Sequence, residues 1–272
     1  MRRRTPRGGA RAVHPTAPIV VKVGGRAQGD PALPARLAAL WRTSGRALVL
    51  VHGGGDEIST LQRALGAEPS FVGGRRVTTE GDIATVRMAL SGAINKRIVA
   101  ALISRGVEAV GLSGEDAALI GARRMTTDGG GSLGLVGAPE RINAALLRHL
   151  LAGGYMPVVS PLGRDLDGGG SALNVNGDDA AAAIATAIGA RELFFLADVA
   201  GVLVDGTPVE GLDADDVATL IAGGTAAGGM AAKLQAAVGA LHGGVPSVRI
   251  GDLSALGDVA RGTTVTLSRS LV

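Results

Sequence analysis

Short, continuous apolar runs alternate with helix-period segments along most of the chain. The first run, residues 19–23 (IVVKV), stops at Gly24-Gly25, and a helical stretch follows over about 31–43. A second run at 47–51 stops at His52-Gly53-Gly54-Gly55, and a helix over about 56–65 ends near Gly66. A long helical stretch covers roughly 80–105, then an apolar run at 109–112, a helix near 139–151, and a run at 157–160. The Ala-rich segment 178–188 reads as a helix closed by Gly189, a usual position for a C-terminal glycine. A run at 193–196, helices near 214–222 and 230–241, and a strand at 247–250 complete the series. Strands that are apolar on both faces, with helices between them, predict a mostly parallel sheet covered on both sides. The Gly-rich segments 128–137 and 167–171 read as loops or hairpin turns.

Glycine repeatedly follows the carboxyl end of a predicted strand, at Gly24, Gly53, Gly114 and Gly163. That edge is where open parallel sheets bind ligands, and bare backbone there lets N–H groups approach an anion. Any single glycine among 44 is weak evidence; three in a row opening a helix at 53–55 is more specific.

Composition narrows the chemistry. The 272 residues include no cysteine, which removes disulfides, thiolate metal sites and a cysteine nucleophile. Four histidines remain, none with HExxH spacing. Aromatics at 2% are too few for stacking on single-stranded nucleic acid, and no specific nucleic acid is expected. The net charge is only +3, yet lysine occurs at just three positions, Lys22, Lys96 and Lys233. A chain that otherwise uses arginine keeps a compact ammonium at these places. Residues 1–18, rich in Arg, Pro and Gly, read as a flexible basic tail without the apolar run of a signal peptide. No 18-residue apolar stretch exists, so no membrane span and a cytoplasmic location are expected. There is no Gly-Lys pair, hence no P-loop; Gly24 to Gly29 does not fit GxGxxG; and the protein-kinase HRD and DFG motifs are absent.

Five segments, VVKVGG (20–25), VHGGG (51–55), RRVT (75–78), NVNGDDAA (174–181) and GGMAAK (228–233), occur in this order. As an ordered set they resemble the amino acid kinase family, and within it the branch that phosphorylates the side-chain carboxylate of N-acetyl-L-glutamate in arginine biosynthesis. The resemblance runs from about residue 19 to the end of the chain. It implies a three-layer αβα sandwich with a mostly parallel central sheet and two lobes, an amino-acid-substrate lobe over 19–170 and an ATP-binding lobe over 171–272. It also implies ATP and Mg²⁺, the latter held mainly by phosphate and water, and a homodimer.

The chemistry fits this composition. A glutamate side chain, with a pKa of about 4.3, is already ionised at neutral pH. It needs no general base, so catalysis reduces to positioning and charge neutralisation. By the resemblance, Lys22 bridges the attacking carboxylate and the transferring phosphoryl group, and Lys233 binds the phosphates from the leaving-group side. Gly53, Gly54 and Gly55 present N–H groups, with His52 supporting their turn. Arg76 clamps the substrate α-carboxylate, a task suited to a guanidinium fork. Asn174 and Asn176 hydrogen-bond the substrate, although Asn-x-Asn is also turn chemistry. Asp178 is read both as a helix cap and as the residue that holds the two lysines, with Asp179 its bland neighbour. Gly24, Gly25, Asp198, Val199, Gly201, Gly229 and Met230 are assigned to the nucleotide, Met230 equally as a core methionine. No protein ligand is assigned to the metal. Arg75 departs from the family, whose members usually carry an apolar residue there. It keeps open a substrate borne on an acidic amino-group carrier protein, and N-succinylglutamate is a further alternative. A non-catalytic amino-acid or nucleotide sensor is the rival from another class.

Overall fold

The computed structural model describes residues 16–72, 74–126 and 132–268. Residues 1–15 of the expected basic tail, and the start of the Gly-rich segment at 128, lie outside these. Strands β1 (Ile19–Val23) and β2 (Leu48–His52) precede a short hairpin, β3 (Phe71–Val72) and β4 (Arg75–Arg76). They are followed by β5 (Ala109–Ser113), β6 (Ile120–Thr126), β7 (Ser132–Ile142), β8 (Met156–Ser160), β9 (Leu162–Asp165), β10 (Ala172–Val175) and β11 (Glu192–Leu196). A second hairpin, β12 (Leu203–Val204) and β13 (Thr207–Pro208), leads to β14 (Gly211–Leu212), β15 (Val248–Gly251) and β16 (Thr263–Val265). The helices are α1 (Leu33–Thr43), α2 (Gly55–Ala64), α3 (Glu80–Arg87), α4 (Asn95–Ile103), α5 (Ala144–Ala152), α6 (Gly177–Ile188), α7 (Ala214–Ala222) and α8 (Gly228–His242).

Eight strands form the central sheet in the order β14-β16-β15-β11-β1-β2-β8-β5. The six from β15 to β5 are parallel, and β16 pairs antiparallel to β15. Alternation along each strand divides the core. Ile19, Val21, Val23, Leu48 and Leu50 pack with α1, α2 and α4, whereas Val20, Val49 and Val51 pack with α6 and α8. Helices on both faces make the three layers expected from sequence, and β1 lies near the middle of the sheet with all five residues buried.

Two expectations are corrected. The helix placed over 139–151 begins at Ala144, because 139–142 continue β7. Strands β6, β7, β9 and β10, absent from the sequence reading, close into a small barrel. The turn expected at 167–171 is present between the antiparallel β9 and β10. The helical stretch at 80–105 is continuous but includes a π-helical segment, Met88–Ile94, between α3 and α4. Among the described residues, no helix is long and apolar enough to cross a membrane.

Candidate active site

Strand parity places the first candidate side chain. Lys22 shares the face of Val20, so its stem runs toward α6 and α8 rather than toward α1 and α2. It is 6% exposed, and its Nζ lies 2.8 Å from Asp178 Oδ1. Asp178 sits in the first turn of α6, where the helix dipole favours a negative charge. The cap itself is Asn176, whose Oδ1 accepts the N–H groups of Asp178 at 2.7 Å and Asp179 at 3.3 Å; the capping role considered for Asp178 belongs to its neighbour. Lys233, in the second turn of α8, reaches the other oxygen, Oδ2, at 3.2 Å. One buried carboxylate thus holds two ammonium groups at the carboxyl end of β1.

The electrostatics follow from burial and charge. Burial alone would push the Asp178 carboxyl up, but the two ammonium groups outweigh it and hold the group below its ordinary range. Burial, and then the neighbouring Lys22, lower the Lys233 pKa, while Asp178 opposes them. Close packing at this point depends on Gly24: a Cβ there would lie 2.4 Å from Lys22 Nζ.

A cavity of about 210 Å³ opens beside Lys22. Its floor is Gly24 with Gly53, Gly54 and Gly55, its roof is Phe71, Arg75 and Arg76 of the β3–β4 hairpin, and Asn174 and Asn176 close a side. The Gly53 N–H is donated to Val23 O at 2.9 Å, which leaves the N–H groups of Gly54 and Gly55, at the opening of α2, facing no intrahelical acceptor. Asn174 Nδ2 donates to Thr78 Oγ1 at 3.0 Å. Arg76 is 7% exposed; it donates to Gly55 O at 2.7 Å, Ser59 Oγ at 2.8 Å and Gln62 Oε1, and stacks 4.7 Å over the Phe71 ring. Gln62 is fixed in turn by Asp82 at 2.7 Å, and Asp82 closes the capping box of α3 with Thr79. Three of the five guanidinium N–H donors of Arg76 are so engaged, and the fork is set in position before any ligand arrives.

The remaining assigned residues lie outside this cavity. Gly25 begins the 3₁₀ turn Gly25–Gly29 after β1, and Asp198, just past β11, accepts the Ala27 N–H of that turn at 3.1 Å. Val199 is partly buried against the core. Gly201 is packed so closely that a Cβ would meet Thr263 Oγ1 at 2.6 Å. Gly229 and Met230 open α8, and Met230 packs partly against the core, as its second reading had it. Lys96 donates to Gly111 O at 3.2 Å. Sequence reasoning missed Ser59, Gln62 and the pairing of Arg75 with Asp179 at 2.7 Å, a contact across 104 residues that no local pattern announces.

Over residues 17–252 the sequence matches the amino acid kinase family. The chain belongs to the amino acid kinase family. Among curated relatives in it, the acetylglutamate kinase of Roseiflexus sp. (strain RS-1) is 41% identical over 251 residues, 92% of this chain and 94% of that one. The acetylglutamate kinase of Geobacillus stearothermophilus is 42% identical, over 85% of this chain and 88% of that one. Solved structures agree with the fold. The protein smu.665 from Streptococcus mutans UA159 superposes with a TM-score of 0.82 at 29% identity, over 92% of this chain and 98% of that one. The N-acetylglutamate synthase of Neisseria gonorrhoeae, complexed with coenzyme A and N-acetyl-glutamate, gives 0.78 at 27% identity, over 94% of this chain and 60% of that one. Giardia carbamate kinase, with a TM-score of 0.67 at 16% identity, shares the family's fold.

Proposed function

We propose that this protein transfers the γ-phosphoryl group of ATP to the side-chain carboxylate of N-acetyl-L-glutamate. The observation that carries the reading is the Lys22–Asp178–Lys233 bridge at the edge of the Gly53–Gly55 cavity, in a chain whose curated relatives are acetylglutamate kinases. A carboxylate oxygen attacks the γ-phosphorus, the bond to the β–γ bridging oxygen breaks, and that oxygen leaves with ADP; no proton moves. Lys22 neutralises charge between the attacking carboxylate and the phosphoryl oxygens, and Lys233 does so toward the leaving group. Arg76 binds the α-carboxylate, and the N–H groups of Gly54 and Gly55 meet the oxygens of the transferring group. The reaction requires no base, and His52, whose pKa burial lowers to about 4 against the partial pull of its bond to Gly53 O, is a weak one.

Both Asp178 oxygens face lysines, and no group of three or more carboxylate or imidazole ligands occurs among the described residues. The donor set therefore suits Mg²⁺ carried by phosphate oxygens and water, where it would neutralise phosphate charge. The lobe division near residue 170 and a homodimer belong to the same reading. Arg75 was the argument for a carrier-borne substrate, but its charge is directed to Asp179, which weakens that alternative. A hydroxamate trap for the acyl phosphate tests the proposal, run with ATP, Mg²⁺ and either N-acetylglutamate, N-succinylglutamate or glutamate. Turnover restricted to N-acetylglutamate supports it; no hydroxamate with that substrate ends it.

A further inference from the structure

His52 ends β2 on the face opposite Lys22. It shares the parity of Leu48 and Leu50, which pack toward α1, α2 and α4, and it is fully buried. It therefore does not face the reacting groups, yet both ring nitrogens are engaged. Nδ1 lies 3.0 Å from Gly53 O, and Nε2 lies 3.1 Å from Asn95 Nδ2. A carbonyl oxygen only accepts, so Nδ1 carries the hydrogen. Asn95 Nδ2 also donates to Val158 O at 2.9 Å, and Asn95 Oδ1 accepts from Lys96 Nζ at 3.1 Å, which fixes the amide orientation. Nε2 is thus the acceptor, and the ring is the neutral Nδ1–H tautomer. Burial, which lowers the His52 pKa to about 4, agrees with that state.

The peptide bond is planar and trans, so fixing the Gly53 carbonyl on one side aims the Gly54 N–H at the other. The same glycine is anchored at its own N–H by Val23 O at 2.9 Å. Gly54 has no room for a side chain, since a Cβ would lie 2.3 Å from Ile94 Cδ1. The Gly53–Gly54 peptide is therefore held by β1, by His52 and by the π-helical segment, and its donor, the Gly54 N–H, has no acceptor among the described residues and belongs to a residue that lines the cavity.

We propose that His52 is a positioning residue: its Nδ1–H holds the Gly53–Gly54 peptide so that the Gly54 N–H is preset to receive the charge of the transferring phosphoryl group. The proposal rests on the phosphoryl-transfer reading above. It differs from a general packing role in requiring one ring nitrogen and not the other. Asparagine places an amide N–H near the position of Nδ1, and glutamine places its amide near Nε2. His52→Asn keeps kcat within about 3-fold of wild type, and His52→Gln lowers it by about 100-fold, the cost of losing one preset oxyanion donor, with both KM values nearly unchanged. Melting temperatures of the two variants fall alike. Equal loss of kcat in both variants, or wild-type kcat in His52→Gln, overturns the proposal. A long-range ¹H–¹⁵N spectrum of the wild-type protein reads the tautomer without any variant or substrate, and an Nε2–H ring also overturns it. Absence of wild-type turnover with N-acetylglutamate ends the functional reading instead, which keeps the two failures apart.

Discussion

Arg75 on the cavity roof donates to Asp179 on α6 at 2.7 Å, and so ties the β3–β4 hairpin to the helix that carries Asp178. Each side chain of the pair is 23% exposed. Burial raises the Asp179 pKa despite the pull of Arg75, so desolvation consumes much of the attraction and the pair adds little to stability. Its consequence is positional, because the neighbouring Arg76 is the proposed α-carboxylate clamp. Arg75→Leu is expected to raise the KM for N-acetylglutamate by about 5-fold, with kcat changed less than about 2-fold. Adding Asp179→Asn to it changes KM little further, since the two substitutions remove one contact. Steady-state kinetics of both single variants and the double variant check this; fully additive KM effects count against it.

Gly24 offers a test in which stability and catalysis separate. An alanine methyl at this position meets the Lys22 ammonium at 2.4 Å, and the next two nearest atoms also belong to the Lys22 side chain. The far end of a lysine yields easily, so the fold tolerates the substitution, but the ammonium leaves its place against Asp178. Gly24→Ala is expected to lower kcat by about 100-fold, comparable with the loss of one preset electrostatic contact. The melting temperature should stay within a few degrees of wild type. A calorimetric scan beside the kinetic assay decides it, and wild-type kcat in Gly24→Ala refutes the account of Lys22.

The parallel strands were legible because burial on both faces leaves them continuously apolar, as in 19–23 and 193–196. The barrel was not, because its strands carry charge outward. Arg123 pairs with Glu140 and Asp167 across β6, β7 and the turn after β9, and Pro139-Glu140 in isolation reads as the start of a helix. Lys22 and Lys233 stood out because lysine is rare here, and, with Asp178 at the opening of the Ala-rich helix, because they stand in segments that resemble the family. Gln62 and Ser59 gave no such signal. They matter only because α2 and the hairpin bring Arg76 to them, and a helical face with Gln and Ser reads as solvent-exposed.

Acid stability should report His52. Its folded pKa is about 4 against about 6.5 for an unperturbed imidazole, so the unfolded chain binds the proton more readily. Stability from this residue is complete above about pH 6.5 and declines as pH falls toward 4. The full loss between these two values is on the order of 3 kcal/mol, with burial the main cause. In His52→Asn this histidine contribution disappears, so urea unfolding between pH 4 and 7 should show a shallower dependence than in wild type. Parallel pH curves for the two proteins would exclude His52 as the source.

Asp178→Asn removes the charge shared by Lys22 and Lys233 while keeping the side chain's shape. Lys233 is already lowered by burial first and by Lys22 second, with Asp178 opposing both. Without the carboxylate its pKa falls further. A lysine with a depressed pKa is protonated only below that pKa, so the variant loses the working ammonium as pH rises. The expectation is a kcat about 100-fold or more below wild type, partly recovered as pH falls. The wild-type profile is less steep, because Asp178 opposes the lowering of the Lys233 pKa. If the variant's profile parallels the wild type's, Asp178 does not act by holding the charge of Lys233, and its effect must come from geometry alone.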